Sequence, residues 1–306
     1  MGSRTSRLQG LTMNEFKPLH AEAVGSTLGP VTRVVTPRML MAYSAVLGAT
    51  EDVYMDDLAG IQACPPFIVT PEWEIMYGQP YRDALGADEA AIWACIHVQQ
   101  DSQFFKKIIP GMQLATEGQV CNFRSTRIGP VVTTRLTTTD ILTKERIAQS
   151  WFTGIFTGRT SDGDDRKIEA SPVLDKLSSD DFDSPAQFLL DVTPALPHLY
   201  TEAASIWNPI HTERRAARAS GLDDILLHGT CTWASAGLFL IRQYANADPA
   251  RLKRLAGRMA GKALVGRRLE IQSQIADKTS TGIRVRYQVI EGSTVIIADG
   301  VAEFSE

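Results

Sequence analysis

The strongest constraint on this chain is that its two halves repeat one another. From Tyr43 and from Tyr200, eleven further positions run in parallel without a gap. Gly48 falls on Ser205, Ala49 on Ile206, Glu51 on Asn208, Val53 on Ile210 and Tyr54 on His211. Further on, Ile109-Pro110-Gly111-Met112-Gln113-Leu114 lines up with Leu264-Val265-Gly266-Arg267-Arg268-Leu269. Such self-similarity is an internal duplication, so the fold must be one unit built twice. Residues 160–185 read TSDGDDRKIEASPVLDKLSSDDFDSP, a Ser-, Asp- and Pro-rich stretch with linker chemistry. The expected division is a first copy over 13–160, a linker over 161–185 and a second copy over 186–306. At 306 residues and 44% apolar, the chain can furnish a core for each.

Each copy has the same order of elements. The first opens with a helical stretch over 37–47, turns at Cys64-Pro65-Pro66 and enters a second helix over 69–77. Strand-like, β-branched runs follow over 92–98, 113–123, 131–142 and 147–157. In the second copy a short strand over 188–192 precedes a helix over 195–207 and another over 211–219. A long, largely apolar helix covers 229–244, and three strands close the chain. Ile283, Val285, Tyr287 and Val289 alternate with Arg284, Arg286 and Gln288, which gives one buried face. A helix apolar nearly all round needs a sheet curled about it. The expected class is α+β, a tandem hot-dog fold.

The polar residues that carry chemistry lie in the second copy, in Trp207-Asn208-Pro209-Ile210-His211 and in Leu227-His228-Gly229-Thr230-Cys231-Thr232. Here the chain resembles the MaoC-like family, which includes the R-specific enoyl-CoA hydratases and fatty-acid dehydratases. The family pattern is Asp-x-Asn-Pro-(Leu/Ile)-His with His-Gly seventeen residues beyond the catalytic His. Asn208, Pro209, Ile210, His211, His228 and Gly229 match it, and Tyr200 matches an upstream aromatic. Ile206 stands where the family has its Asp.

The resemblance implies an acyl-CoA substrate, no further cofactor, and addition or removal of water at the double bond. Such a reaction needs a base for water, an acid for the α-carbon and donors for the enolate oxygen. His211 suits the base, Asn208 the water or the loop, and the Gly229 N–H the oxyanion. With the Asp absent, two polar residues are near in sequence: Ser205, adjacent to Ile206, and Glu202, one helical turn before it, which spacing by four would point the same way. His228 reads either as a loop histidine bonded to backbone or as a ligand contact. Arg267 and Arg268, after Gly266, read either as partners of coenzyme A phosphates or as solvated strand-end charges; Lys106 and Lys107 carry the same ambiguity. A non-hydrating acyl-CoA binding protein, motivated by Ile206, and a thioesterase using Glu202 are the competing readings.

A net charge of −4 gives no overall pull toward nucleic acid or an anionic membrane. No apolar run reaches the ~18 residues of a membrane span. Cys64, Cys95, Cys121 and Cys231 lack metal-site spacing and fit a reduced, cytoplasmic chain. Met1–Gly10 has no signal-peptide core, and Met13 offers an alternative start after a polar leader. A duplicated chain can pair its halves internally or form a further homodimer.

Overall fold

The alternating runs form strands, and the strands of both copies join one antiparallel sheet. The computed structural model describes residues 17–306; Met13 and the polar leader lie outside the described residues. The first half supplies β1 (Thr27–Val34), α1 (Pro37–Val46), α2 (Val69–Tyr77), β2 (Cys95–Phe104), β3 (Gln113–Arg124), β4 (Val131–Asp140) and β5 (Arg146–Phe156). The second half supplies β6 (Ala186–Asp191), α3 (Leu196–Ala204), α4 (Gly229–Tyr244), β7 (Leu252–Met259), β8 (Arg268–Thr279), β9 (Gly282–Glu291) and β10 (Thr294–Ser305). The strands lie in the order β1-β3-β4-β5-β2-β7-β10-β9-β8-β6. Read outward from the β2–β7 seam, the two halves have the same order, so the chain is a tandem hot-dog of class α+β.

Backbone hydrogen bonds repeat across the halves in the register of the duplication. Val35 and Met112 bond as Val192 and Arg267 do, at 2.9 and 2.8 Å. Gln62 N–H donates to Val53 O at 2.9 Å, and Leu226 N–H to Ile210 O at 3.2 Å. Ala63 N–H donates to Ile108 O at 2.9 Å, and Leu227 N–H to Ala263 O at 2.7 Å. The last pair extends the correspondence beyond the gap-free stretch: Cys64 takes the place of His228, and Pro65 that of Gly229. At the centre, matched Tyr43 and Tyr200 meet, both fully buried, with their hydroxyls 3.2 Å apart.

Local chemistry sets the helix ends. Thr36 accepts from Met39 N–H, and Pro37 occupies the first turn of α1. That helix gives way at Gly48, whose φ is +80°. Its counterpart α3 ends at Ser205, also left-handed at φ +56°, a conformation that costs a residue with a Cβ. The central helices differ more. In the second half α4 is unbroken, and every residue from Thr230 to Ile241 is buried. Each large apolar side chain among them contributes about 1.5–3 kcal/mol by leaving water. In the first half the equivalent path is a 3-10 turn, Pro65–Ile68, then α2, then Gln79–Leu85 after Gly78. The prolines withhold N–H groups, and Gly78 and Pro80 interrupt the run.

Three sequence expectations are corrected. Four strands, β7 to β10, close the chain, not three. The segment 92–98 does not begin as strand: Asp88 caps a short helix, Glu89–Trp93, and β2 starts at Cys95. The helix expected over 195–207 stops at Ala204, and the one over 211–219 is a 3-10 turn at Pro209–His211 followed by Arg214–Ala219.

The linker is draped along the sheets. Ser161–Asp162 pairs with Leu19–His20, and Arg166–Lys167 with β3. Further along, Asp299 accepts from Leu177 N–H and Lys176 Nζ. No helix of the described residues is long and apolar enough to cross a membrane.

Candidate active site

His211 and His228 converge although seventeen residues separate them. Asn208 starts the turn: its Oδ1 accepts from Ile210 N–H at 3.2 Å, an Asx turn that Pro209 stiffens. The turn sets His211 at the end of Pro209–His211, half-buried. His211 Nδ1 lies 2.7 Å from Leu226 O. A carbonyl only accepts, so Nδ1 carries the proton and Nε2 presents its lone pair. His228 is the residue immediately before α4, and its ring stacks on His211 with centroids 3.7 Å apart and planes at 22°.

His228 is buried. Its Nε2 donates to Ile206 O at 3.0 Å and lies 3.2 Å from Thr201 Oγ1. This leaves His228 Nδ1 buried without a hydrogen-bond partner, an unmet acceptor of the kind that fits a ligand or a water. Burial depresses the basicity of both rings. His211 falls to about 4, opposed only by its bond to Leu226, and His228 falls well below the ordinary imidazole value through burial and then the neighbouring His211. Both are therefore neutral at pH 7.

No side chain caps α4. Gly229 and Thr230 thus open the helix with N–H groups that have no partner in the preceding turn, at the positive end of its dipole. A Cβ on Gly229 would come 3.1 Å from Met259 Cγ, a flexible side chain.

The remaining expected side chains make no hydrogen bond to His211 or His228 among the described residues. Glu202 is exposed. Spacing by four placed it beside Ile206, but α3 ends before Ile206, so the helical rule does not reach that far. Ser205 is exposed and serves as the left-handed end of α3. Ile206 is buried and offers only its backbone oxygen. Arg267 pairs with Glu291 at 3.5 Å, and Arg268 pairs with Asp191 at 2.5 Å. Both are exposed strand-end ion pairs.

Sequence reasoning missed Thr201. Its signal was available: Leu196, Pro197, Tyr200, Thr201 and Ala204 form the buried face of α3, which selects Thr201 over Glu202. It also missed Trp93, which crosses from the first half to pack edge-on against Trp207 at 5.5 Å. Among the described residues no three His, Cys, Asp or Glu side chains gather to hold a metal.

Comparison with known proteins bears on this segment directly. Residues 185–295 match the model of the MaoC like domain. The second half is a MaoC-like domain. Within it lie the Asn208–His211 turn, the His228–Gly229 pair and the opening of α4. The chain is 27% identical over 97 residues, 32% of its length, to mouse (Mus musculus) peroxisomal multifunctional enzyme type 2, of which the match spans 13%. It is also 21% identical over 208 residues to a Dictyostelium discoideum protein named "Probable enoyl-CoA hydratase 2", covering 68% of this chain and 69% of that one. A MaoC-like dehydratase from Phytophthora capsici superposes with a TM-score of 0.75 at 18% identity, covering 92% and 96% of the two chains. At that identity the superposition speaks to the fold: the MaoC-like domain and the half before it together follow the known architecture.

Proposed function

We propose that this protein is an acyl-CoA hydro-lyase of the (R)-specific hydratase type, with His211 as its acid–base group. The observation that carries this reading is the fixed tautomer of His211. Leu226 O holds the Nδ1 proton, and Nε2 is left as a lone pair on a ring stacked against His228, the residue that precedes α4. In the hydration direction, Nε2 takes a proton from water as the water oxygen bonds to the β-carbon. The double-bond electrons move toward the thioester, and the charge on its oxygen is met by the Gly229 N–H. The imidazolium then returns its proton to the α-carbon, so one water is added and the ring is restored. The names of the matched relatives support this class of reaction. A hydrolytic reading loses support because Glu202, the carboxylate it requires, is exposed.

Ile206 favours a second reading, in which the protein holds acyl-CoA without hydrating it. A carboxylate at that position would raise the basicity of a nearby imidazole; an Ile cannot. The test is turnover of a panel of short, long, branched and cyclic enoyl-CoAs by the wild type, His211→Ala and Ile206→Asp. The hydratase reading expects hydration in the wild type that His211→Ala abolishes. A silent wild type that gains activity in Ile206→Asp supports the binding reading. Full activity in His211→Ala would defeat the acid–base assignment.

A further inference from the structure

The first half has lost the imidazoles but kept the cradle. The bond that sets Ala63 against Ile108 has its twin between Leu227 and Ala263 in the active half. Beside it lies a cavity of about 190 Å³, reached by Pro65 and Ile108 from the first half and Leu252 from the second. Its mouth carries Lys106 and Lys107 from one half and Lys253 from the other. Arg146 adds a fourth cation nearby, over the Phe105 ring at 5.5 Å. Only one of the lysines has a carboxylate partner among the described residues: Lys106 pairs with Glu145 at 2.7 Å. Lys253 Nζ donates to Ala250 O, a neutral group. In a chain of net charge −4 this is a local positive field at the lip of an apolar hollow.

Two of the three lysines have no basic counterpart in the second half. Counting through the duplication, Lys106 corresponds to Gly261 and Lys253 to Val98; only Lys107 has a basic twin, Lys262. The reactive groups have gone in the opposite direction. Tyr54 replaces His211, Cys64 replaces His228, and Pro65 and Pro66 replace the two residues whose N–H groups open α4. The Cys64 thiol is buried and pushed up to about 12, so it offers no nucleophile.

We infer that this cavity is a second, unreactive ligand site for a phosphate-bearing pantetheine thiol of the coenzyme A type. The choice of ligand class rests on the function proposed above. The slim arm enters the apolar hollow, and the phosphates meet Lys106, Lys107 and Lys253 at its mouth. The test is calorimetric titration of the full chain with coenzyme A, with Lys107→Glu/Lys253→Glu and the milder Lys107→Ala/Lys253→Ala as variants. The expected result is two sites per chain in the wild type and one in the charge-reversed protein, with enoyl-CoA turnover within about twofold of wild type. The alanine pair should weaken the same site by about tenfold or more.

One site in the wild type that survives the charge reversal overturns the inference. So does loss of all binding and turnover together, which would assign the lysines to the His211 site. If the function proposed above is wrong, the wild type shows a single site that the charge reversal removes, and the inference stands alone.

Discussion

The two cradles of this molecule share a backbone and differ in nearly every group that could touch a reacting atom. On one side Asn208 forms the turn, His211 presents Nε2, and Gly229 opens an unbroken helix. On the other, Glu51 holds the position of Asn208 but is taken by Arg242, at 2.5 and 3.1 Å. That pair lowers the basicity of the Glu51 carboxylate and ties the last turn of α4 to the end of α1, where Arg242 also donates to Gly48 O. Tyr54 fills the site of His211 as a buried phenol whose ionisation is strongly opposed by burial. The comparison teaches that duplication separates two demands. One copy keeps imidazoles at these positions; the other uses one of them, Glu51, to tie the halves together.

Transplanting residues from the quiet cradle into the active one tests this directly. The largest effect is expected from His211→Tyr, which copies Tyr54: hydration should fall by about 10²–10⁴-fold, since the acid–base group is lost. Circular dichroism should show the fold retained, because the matched position already accepts a phenol. Next comes Gly229→Pro, which copies Pro65. Proline is tolerated at the first residue of a helix but carries no N–H, so stability should barely change while kcat falls by about 10²–10³-fold. A loss of stability with kcat unchanged would remove Gly229 from the oxyanion role.

The reverse comparison concerns cohesion. Arg242→Ala should destabilise the chain by about 1–2 kcal/mol in urea unfolding, between the values for exposed and buried pairs, and leave turnover nearly unchanged. The smallest effect is on pH dependence. His211 titrates near 4 when folded and near 6.5 ordinarily. Between these values the unfolded chain binds more protons, so stability is present above 6.5 and is lost as pH falls toward 4. His97, buried against Phe152 and also lowered to about 4, adds to the same slope. His211→Tyr should shallow it, and the acid limb of kcat/KM in the wild type should lie near 4.

The duplication was legible because matched residues keep matched backbone bonds: Val53 and Ile210, Gly111 and Gly266, Tyr43 and Tyr200 all occupy equivalent places. The turn at Asn208 and the opening of α4 at Gly229 were legible for local reasons, an Asx–Pro step and a Gly after His. What escaped was non-local. Strand β7 shows no period-two signal because its register against β10 shifts between Leu252 and Arg254 and again between Ala256 and Arg258. Counting by four from Glu202 to Ile206 fails because the helix stops at Ala204. The stacking of His211 on His228 depends on where α4 begins in space, which spacing alone does not fix.

The register of the β2–β7 seam has a further consequence. Asp101 lies directly opposite Ala256, its own counterpart in the duplication, and so sits where the axis relating the halves passes. It is fully buried and clasped by Arg254 at 2.7 and 3.0 Å. In a self-paired first half, Asp101 would face a second Asp101 across about 5 Å of dry interior, and two carboxylates so placed resist ionising together. The acid is tolerable because its twin became alanine. The asymmetry between Asp101 and Ala256 therefore works as a lock on pairing: a first half set against its own copy should fail to close this seam.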